Sequence, residues 1–142
     1  MFEQGLFAFL SGAPAIAAQL GGSPYARADG TVGVFPQQLP EGSTMPALVY
    51  AIVGRQSVNS TEGTNRTAMK RVQIDCYGRS YGDAKQLQLP VRKELEPLKG
   101  YTLSEGTRVA GVFVNSELDA FEYGPFLYCA VLDFNIWIIN PA

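Results

Sequence analysis

The amino-acid sequence predicts a single α+β domain over residues 1–142, built on a mainly antiparallel sheet of four to five strands. An N-terminal helix precedes the strands, and a second helix is inserted between the hairpins. Three observations predict this class. The length of 142 residues suits one core; 46% hydrophobic and 17% charged residues indicate a globular chain with a poorly charged surface; and segments of helical period alternate with segments of period two.

The N-terminal segment has the apolar spacing of a helix, which Ser11–Pro14 should interrupt before a second short helical piece ends at Gly21-Gly22. Residues 23–46 contain four prolines and no sustained period, so they predict an extended connection with at most a short strand at Thr31–Phe35. The apolar stripe of the first helix consists of Phe2, Leu6, Phe9 and Leu10.

Two strands should follow as a long hairpin. Ala47–Val53 is continuously apolar, which is typical of a strand covered on both faces. Arg66–Arg79 alternates, with Val72, Ile74 and Cys76 directed inward and Tyr77 among the residues on the exposed side. The segment between them is polar and has no apolar anchor, so it predicts a mobile, partner-contacting tip: Asn59, Ser60, Thr61, Glu62, Gly63, Thr64 and Asn65.

The second helix should begin at Ser80, which with Asp83 resembles a capping box, and end at Pro97–Gly100, with a kink at Pro90. Two further strands are predicted at Arg108–Asn115 and Phe126–Ile139, with Asp133 and Asn135 marking an exposed face of the last one. The apolar stripe of this helix consists of Tyr81, Ala84, Leu87, Val91, Leu95 and Leu98.

Charge is distributed unevenly along the chain, whose formal net charge is −2. Residues 55–108 hold ten of the eleven basic residues and six acidic ones, whereas residues 109–142 hold four acidic residues and no basic one. Such a chain either folds its two halves against each other or presents opposite faces to neighbouring copies. For the second case, the sequence predicts a subunit interface between a basic and an acidic group: Arg55, Arg66, Lys70 and Arg71 against Glu117, Asp119 and Glu122.

The residue types present exclude most catalytic and metal chemistry. The chain has no histidine, and its two cysteines, Cys76 and Cys129, favour free buried thiols over a disulfide between neighbouring strands. Glu94 and Glu96 would point about 200° apart on a helix, and no nucleophile accompanies the later acidic residues. No phosphate-binding glycine pattern and no run of about 18 apolar residues occurs. We therefore expect no catalytic residue, cofactor, metal or membrane contact.

Pro36–Leu95 carries a family resemblance. Its parts are a proline-gated strand at Met45–Tyr50, the pattern R-V-Q-I-D-x-Y at Arg71–Tyr77, and Ser-Tyr-x-x-Ala at Ser80–Ala84 opening a helix that contains V-R-K-E-L. In these features the chain resembles the tail-completion proteins of long-tailed bacteriophages, which overlap in role with tail-terminator and head-to-tail joining proteins. It departs from them in Pro90 and in a longer segment at Ser23–Thr31.

The resemblance implies a structural virion protein, made in the host cytoplasm, that assembles as a homo-oligomeric ring, usually a hexamer, at the head-proximal end of the tail tube. There it would stop tube polymerisation and join the head connector, while DNA passes through the ring only as cargo. Two alternatives remain from the residues: a stand-alone α+β module that binds a small ligand or peptide, and an enzyme that borrows a residue from a second subunit.

Overall fold

The computed structural model describes residues 2–20, 33–39, 45–60, 63–122 and 127–140, of which 57–60, 63–66 and 122 are described by their backbone only. The helices are α1 (Phe2–Gly12), α2 (Pro14–Gln19) and α3 (Tyr81–Leu95). The strands are β1 (Val34–Pro36), β2 (Ala47–Ser60), β3 (Gly63–Gly78), β4 (Tyr101–Thr102), β5 (Arg108–Glu122) and β6 (Leu127–Ile139).

The described strands form one six-stranded sheet in the order β1-β2-β3-β6-β5-β4, in which β1 runs parallel to β2 and every other pair is antiparallel. The α+β class is confirmed, and the strand count of four to five is slightly too low. β4 contains two residues and β1 three. Strands this short are held by pairing with a longer neighbour and carry no periodicity of their own in the sequence.

The helices cover one face of the sheet. The alternation in β3 is confirmed, because Val72, Ile74 and Cys76 are all fully buried in the main core. Leu132 and Phe134 of β6 are equally buried and continue the same layer. This side of the sheet is called the helix face below, and the opposite side the open face.

The N-terminal helices follow the predicted interruption. Ala13 is extended and Pro14 occupies the first turn of α2, where its missing N–H breaks no helical hydrogen bond. Leu6, Leu10 and Ile16 are buried and join the main core, whereas Phe9 packs against the core partly exposed. The apolar stripe therefore identified the buried side of this segment.

Helix α3 begins as predicted, since the Asp83 N–H donates a hydrogen bond to Ser80 Oγ at 3.1 Å. The helix runs through Pro90 without a break. The expectation that Tyr81 belongs to the apolar stripe is wrong: its side chain is 52% exposed, because at the first turn of α3 it lies beside β5 instead of over the core.

The long strands extend further than predicted. β2 continues past Val53 to Ser60, and β5 continues past Asn115 to Glu122. The expected loop at the tip is in part a paired ladder, with Asn59 opposite Thr64 and Ser60 opposite Gly63. Thr61 and Glu62 lie outside the described residues. The backbones of polar residues pair as well as those of apolar residues. The change from apolar to polar residues along β2 and β5 therefore marks where burial ends and not where the strand ends.

The open face carries a small second cluster, which corrects the placement of Tyr77. Val49, Tyr77, Leu127 and Cys129 are buried there, beneath Phe35, Leu39 and Met45 from the segment around β1. The free, buried state predicted for both cysteines is confirmed. Cys76 faces Ala130 in the register, one position from the Tyr77–Cys129 pair, so the two thiols lie on opposite faces of the sheet.

Candidate assembly surfaces

Acidic residues of β5 are held by basic residues of α3. Asp119 accepts a hydrogen bond from the Tyr81 hydroxyl at 3.0 Å, and its carboxylate lies 2.7 Å from Lys85 Nζ. The hydrogen bond from Lys85 lowers the pKa of Asp119, and the same contact raises the pKa of Lys85. All three side chains remain partly exposed, so this is a surface ion pair that positions α3 on β5 more than it stabilises the fold.

Arg92 extends this network two turns further along α3. Its guanidinium contacts Glu117 of β5 and also Glu96, four residues later on the same helix, at 3.1 Å. The hydrogen bond to Glu96 and the charge of Glu117 raise the pKa of Arg92. Glu117 and Asp119 retain 39% and 46% side-chain exposure, so both carboxylates stay accessible to a second protein.

Arg71 and Asp133 form an ion pair on the open face, in which the carboxylate is covered and the guanidinium is half-exposed. Two guanidinium nitrogens of Arg71 donate to Asp133 at 3.0 and 2.6 Å, and Asn115 Nδ2 donates at 3.4 Å. Asp133 is only 7% exposed, which corrects its predicted role as a marker of the exposed face. Hydrogen bonding to Asp133 raises the pKa of Arg71. A charged residue can occupy this covered position because the guanidinium fork satisfies it.

Lys70 lies on the helix face, opposite to Arg71. Its Nζ is 3.9 Å from a Glu3 carboxylate oxygen and 5.9 Å from the centre of the Phe2 ring, so it ties α1 to β3. Arg55, the residue opposite Lys70 in the β2–β3 ladder, is exposed and makes no ion pair within the described part of the chain. The side chains of Arg66 and Glu122 lie outside the described residues.

The two oppositely charged parts of the chain are therefore folded against each other, which is the first of the two arrangements that the charge distribution allowed. Basic residues from 55–108 pair with acidic residues from 109–142 inside one chain, through Arg71–Asp133, Lys85–Asp119 and Arg92–Glu117. Sequence reasoning did not single out Lys85 or Arg92 for this role. Their spacing of seven residues on a helix places them on one side, two turns apart, and was the available signal.

An open depression of about 580 Å³ lies where α1 approaches the β2–β3 hairpin. Glu3, Arg55 and Lys70 line it together with Glu105 and Thr107. Two of these groups, Glu3 and Lys70, pair with each other. A small-molecule site normally combines an enclosed apolar wall with a few converging polar groups, whereas this depression is open to solvent and lined almost entirely by polar and charged residues.

Metal-ligating side chains do not gather in groups of three or more anywhere in the described ranges. None of the described helices has both the length and the apolar character needed to cross a membrane.

The helices cover one face of a largely antiparallel sheet, which defines a small two-layer α+β protein. Its prominent surface features are strand edges and the ion pairs between α3 and β5. The family model described as Tail completion protein gp17 matches residues 4–139. The chain therefore belongs to this family, as the resemblance in the sequence implied, and is a structural component of a phage-like tail.

A solved structure is similar to this chain in its fold. It is a chain from the virion of a native gene transfer agent (GTA) particle, with 15% sequence identity and a TM-score of 0.67, and the match covers 95% of this chain and 92% of that one. At this identity the likeness establishes the fold alone. No curated protein matches the sequence.

Proposed function

We propose that this protein is a tail terminator, which assembles as a ring of six copies at the head-proximal end of the tail tube. The ring stops polymerisation of the tube and joins the tail to the head connector. The family match over residues 4–139 carries the proposal. The fold shared with a chain of a gene transfer agent virion is consistent with it.

The ring has three protein contacts in this proposal: its own neighbouring copies, the tail tube protein and the connector. DNA passes through as cargo. The pairing of four basic residues supports this last point, because Lys70, Arg71, Lys85 and Arg92 each lie against a carboxylate. A surface that holds DNA would present such residues unpaired toward phosphate.

The end of the β2–β3 hairpin is the proposed contact with a stacked partner. Among the described residues, β3 pairs with β6 from Thr67 onward, and residues 63–66 are joined to the sheet through β2. The hairpin therefore projects beyond the end of β6. A projecting two-stranded ribbon is only marginally stable on its own, and a partner at Asn59–Asn65 would supply the missing contacts.

Deleting the gene for this protein, so that particles assemble without it, tests the function. We expect tails of uncontrolled length that carry no head, measured by electron microscopy, because the tube would lack its stop and its joint. Supplying the unaltered chain should restore tails of fixed length, and supplying Leu132→Ala at matched folded concentration serves as a stability control. Headed tails of normal length in the absence of the protein would contradict the proposal.

The mass of the purified chain separates this function from a stand-alone binding module. A ring of copies runs far above 15.4 kDa at working concentration, whereas a lone module runs at that mass. A monomer that also fails to respond to tube protein would favour the module.

A further inference from the structure

The sheet has two long outer edges that no described strand covers. β1 pairs with β2 only at Leu48–Tyr50, which leaves the outer edge of β2 unpaired from Ala51 to Ser60 within the described part of the chain. β4 pairs with β5 only at Arg108 and Val109, which leaves the outer edge of β5 from Ala110 to Ala120 without a partner strand among the described residues. Unpaired edges of this length are templates for pairing with another strand.

The two edges have opposite directions. β2 is antiparallel to β3, β3 to β6, and β6 to β5, so β5 runs opposite to β2. If a second copy is placed beside the first with its helices on the same side, its β5 lies antiparallel to the β2 of the first copy. Its own β2 edge is then free for a third copy. Such a head-to-tail contact repeats, and it makes a ring when the rotation closes.

Exposed apolar side chains lie along these same edges. Val53 of β2 is 49% exposed, and Phe113 and Leu118 of β5 are 61% and 63% exposed. Residues 115–120 of β5 are all exposed, although the strand continues through them. Apolar side chains on an unpaired strand would be covered by a neighbouring strand, which is the usual source of affinity in cross-strand pairing.

Charge favours pairing of β2 with β5 over the two symmetric alternatives, which are β2 with β2 and β5 with β5. Arg55 lies on the helix face, where its ladder partner Lys70 contacts α1. Glu117 and Asp119 also lie on the helix face, where they contact α3. Pairing β2 with β2 would bring Arg55 of one copy near Arg55 of the other. Pairing β5 with β5 would bring the Glu117 and Asp119 carboxylates of the two copies together. Like charges across a strand pair are destabilising, whereas β2 beside β5 sets Arg55 against acidic residues.

We propose that neighbouring copies join by antiparallel pairing of the β2 edge of one with the β5 edge of the next, with Arg55 beside Glu117 of the neighbour. The sheet then continues from one subunit to the next. This inference rests on the proposed ring and specifies its subunit contact. It also narrows the predicted interface: Arg55, Glu117 and Asp119 belong to it, whereas Lys70 and Arg71 act within their own chain through Glu3 and Asp133.

Site-directed cross-linking of the full chain tests this contact. In the proposed register, Gln56 of one copy lies beside Ser116 of the next, and both side chains are exposed. Within one chain β2 and β5 are separated by β3 and β6, a lateral distance of about 14 Å. A bis-maleimide shorter than this reach cannot join the two positions inside one chain. Cys76 and Cys129 are buried, so the unaltered chain serves as the unreactive control.

The expected pattern distinguishes head-to-tail from symmetric pairing. Gln56→Cys alone and Ser116→Cys alone should give no cross-linked species, their mixture should give dimers only, and the double variant should give a ladder that ends at the size of the ring. Cross-linking of either single variant with itself, or rings that form without any cross-link, would overturn the proposal while leaving the tail-terminator function standing. A chain that stays monomeric would overturn both the edge pairing and the tail-terminator function. Size-exclusion chromatography of the purified chain detects that case directly.

Charge reversal gives a second, independent measurement. Arg55→Glu should lower the ring fraction at least tenfold at low salt, because it sets a carboxylate beside Glu117 and Asp119. Arg79→Glu is the matched control, since Arg79 is also exposed but lies beyond the end of β3, away from both edges. Equal ring fractions for the two variants would contradict the pairing.

Discussion

The middle of the sheet and its two outer strands differ in what their side chains contact, although all four long strands are similar in length. In β3 and β6, the helix-face residues Ile74 and Leu132 are fully buried beneath the helices. In β5, residues 115–120 are exposed on both sides, and in β2 Val53, Arg55 and Gln56 are exposed. Burial in the middle strands thus stabilises the fold, whereas the exposed parts of β2 and β5 bury little within the chain. This difference is the basis for proposing that these parts of β2 and β5 contact other copies.

The same substitution in the two regions should give the largest difference. Leu132→Ala removes a fully buried side chain and should lower the free energy of unfolding by about 2–5 kcal/mol. Leu118→Ala removes a side chain that is 63% exposed and should change it by about 0.5 kcal/mol or less. The free energy of unfolding of both variants is measured by chemical denaturation, at a protein concentration too low for assembly. Equal losses would show that Leu118 is packed within its own chain.

Hydrogen exchange should show the same division along a single strand. Amides of Val72, Ile74 and Cys76 lie between β2 and β6 and should exchange only through global unfolding. Amides of Asn59–Asn65 should exchange much faster in the free subunit, because the described residues of this hairpin end pair with each other and with no third described strand. Assembly with a tube or connector should slow their exchange. An equal rate in the free and assembled protein would argue against a partner at this end.

The smallest effect concerns the ion pair between α3 and β5. The pKa of Asp119 is lowered in the folded chain by Lys85, so this contact stabilises the folded state above the unfolded-state pKa of about 3.9, and its contribution is lost as the pH falls through the lower folded-state pKa. Asp119→Asn should therefore lower the melting temperature slightly at pH 7 and leave it unchanged near pH 2. Glu94→Gln is the control, because Glu94 lies on α3 and takes part in none of these ion pairs. A difference that persists at pH 2 would assign the effect to packing instead of charge.

Local periodicity predicted the parts of the fold that bury an apolar side. The stripe of α1, the stop at Pro14, the cap at Ser80 and the inward positions of β3 were all readable, because each follows from the spacing of neighbouring residues. The lengths of β2 and β5 were not readable, because their outer halves are polar and obtain their backbone hydrogen bonds from a partner strand. Tyr77 was misplaced for a related reason, since the segment that covers it comes from β1, distant in sequence.

For the candidate surfaces, the sequence by itself determined the separation of charge between residues 55–108 and 109–142 and the scarcity of catalytic side chains. It also carried the family resemblance that the match over residues 4–139 confirmed. Only the tertiary structure decided which charges meet, because the Arg71–Asp133 contact spans 62 positions and depends on the register of β3 with β6. The same holds for the free edges of β2 and β5: an edge is defined by the strand that does not pair with it, and strand order is a property of the assembled sheet.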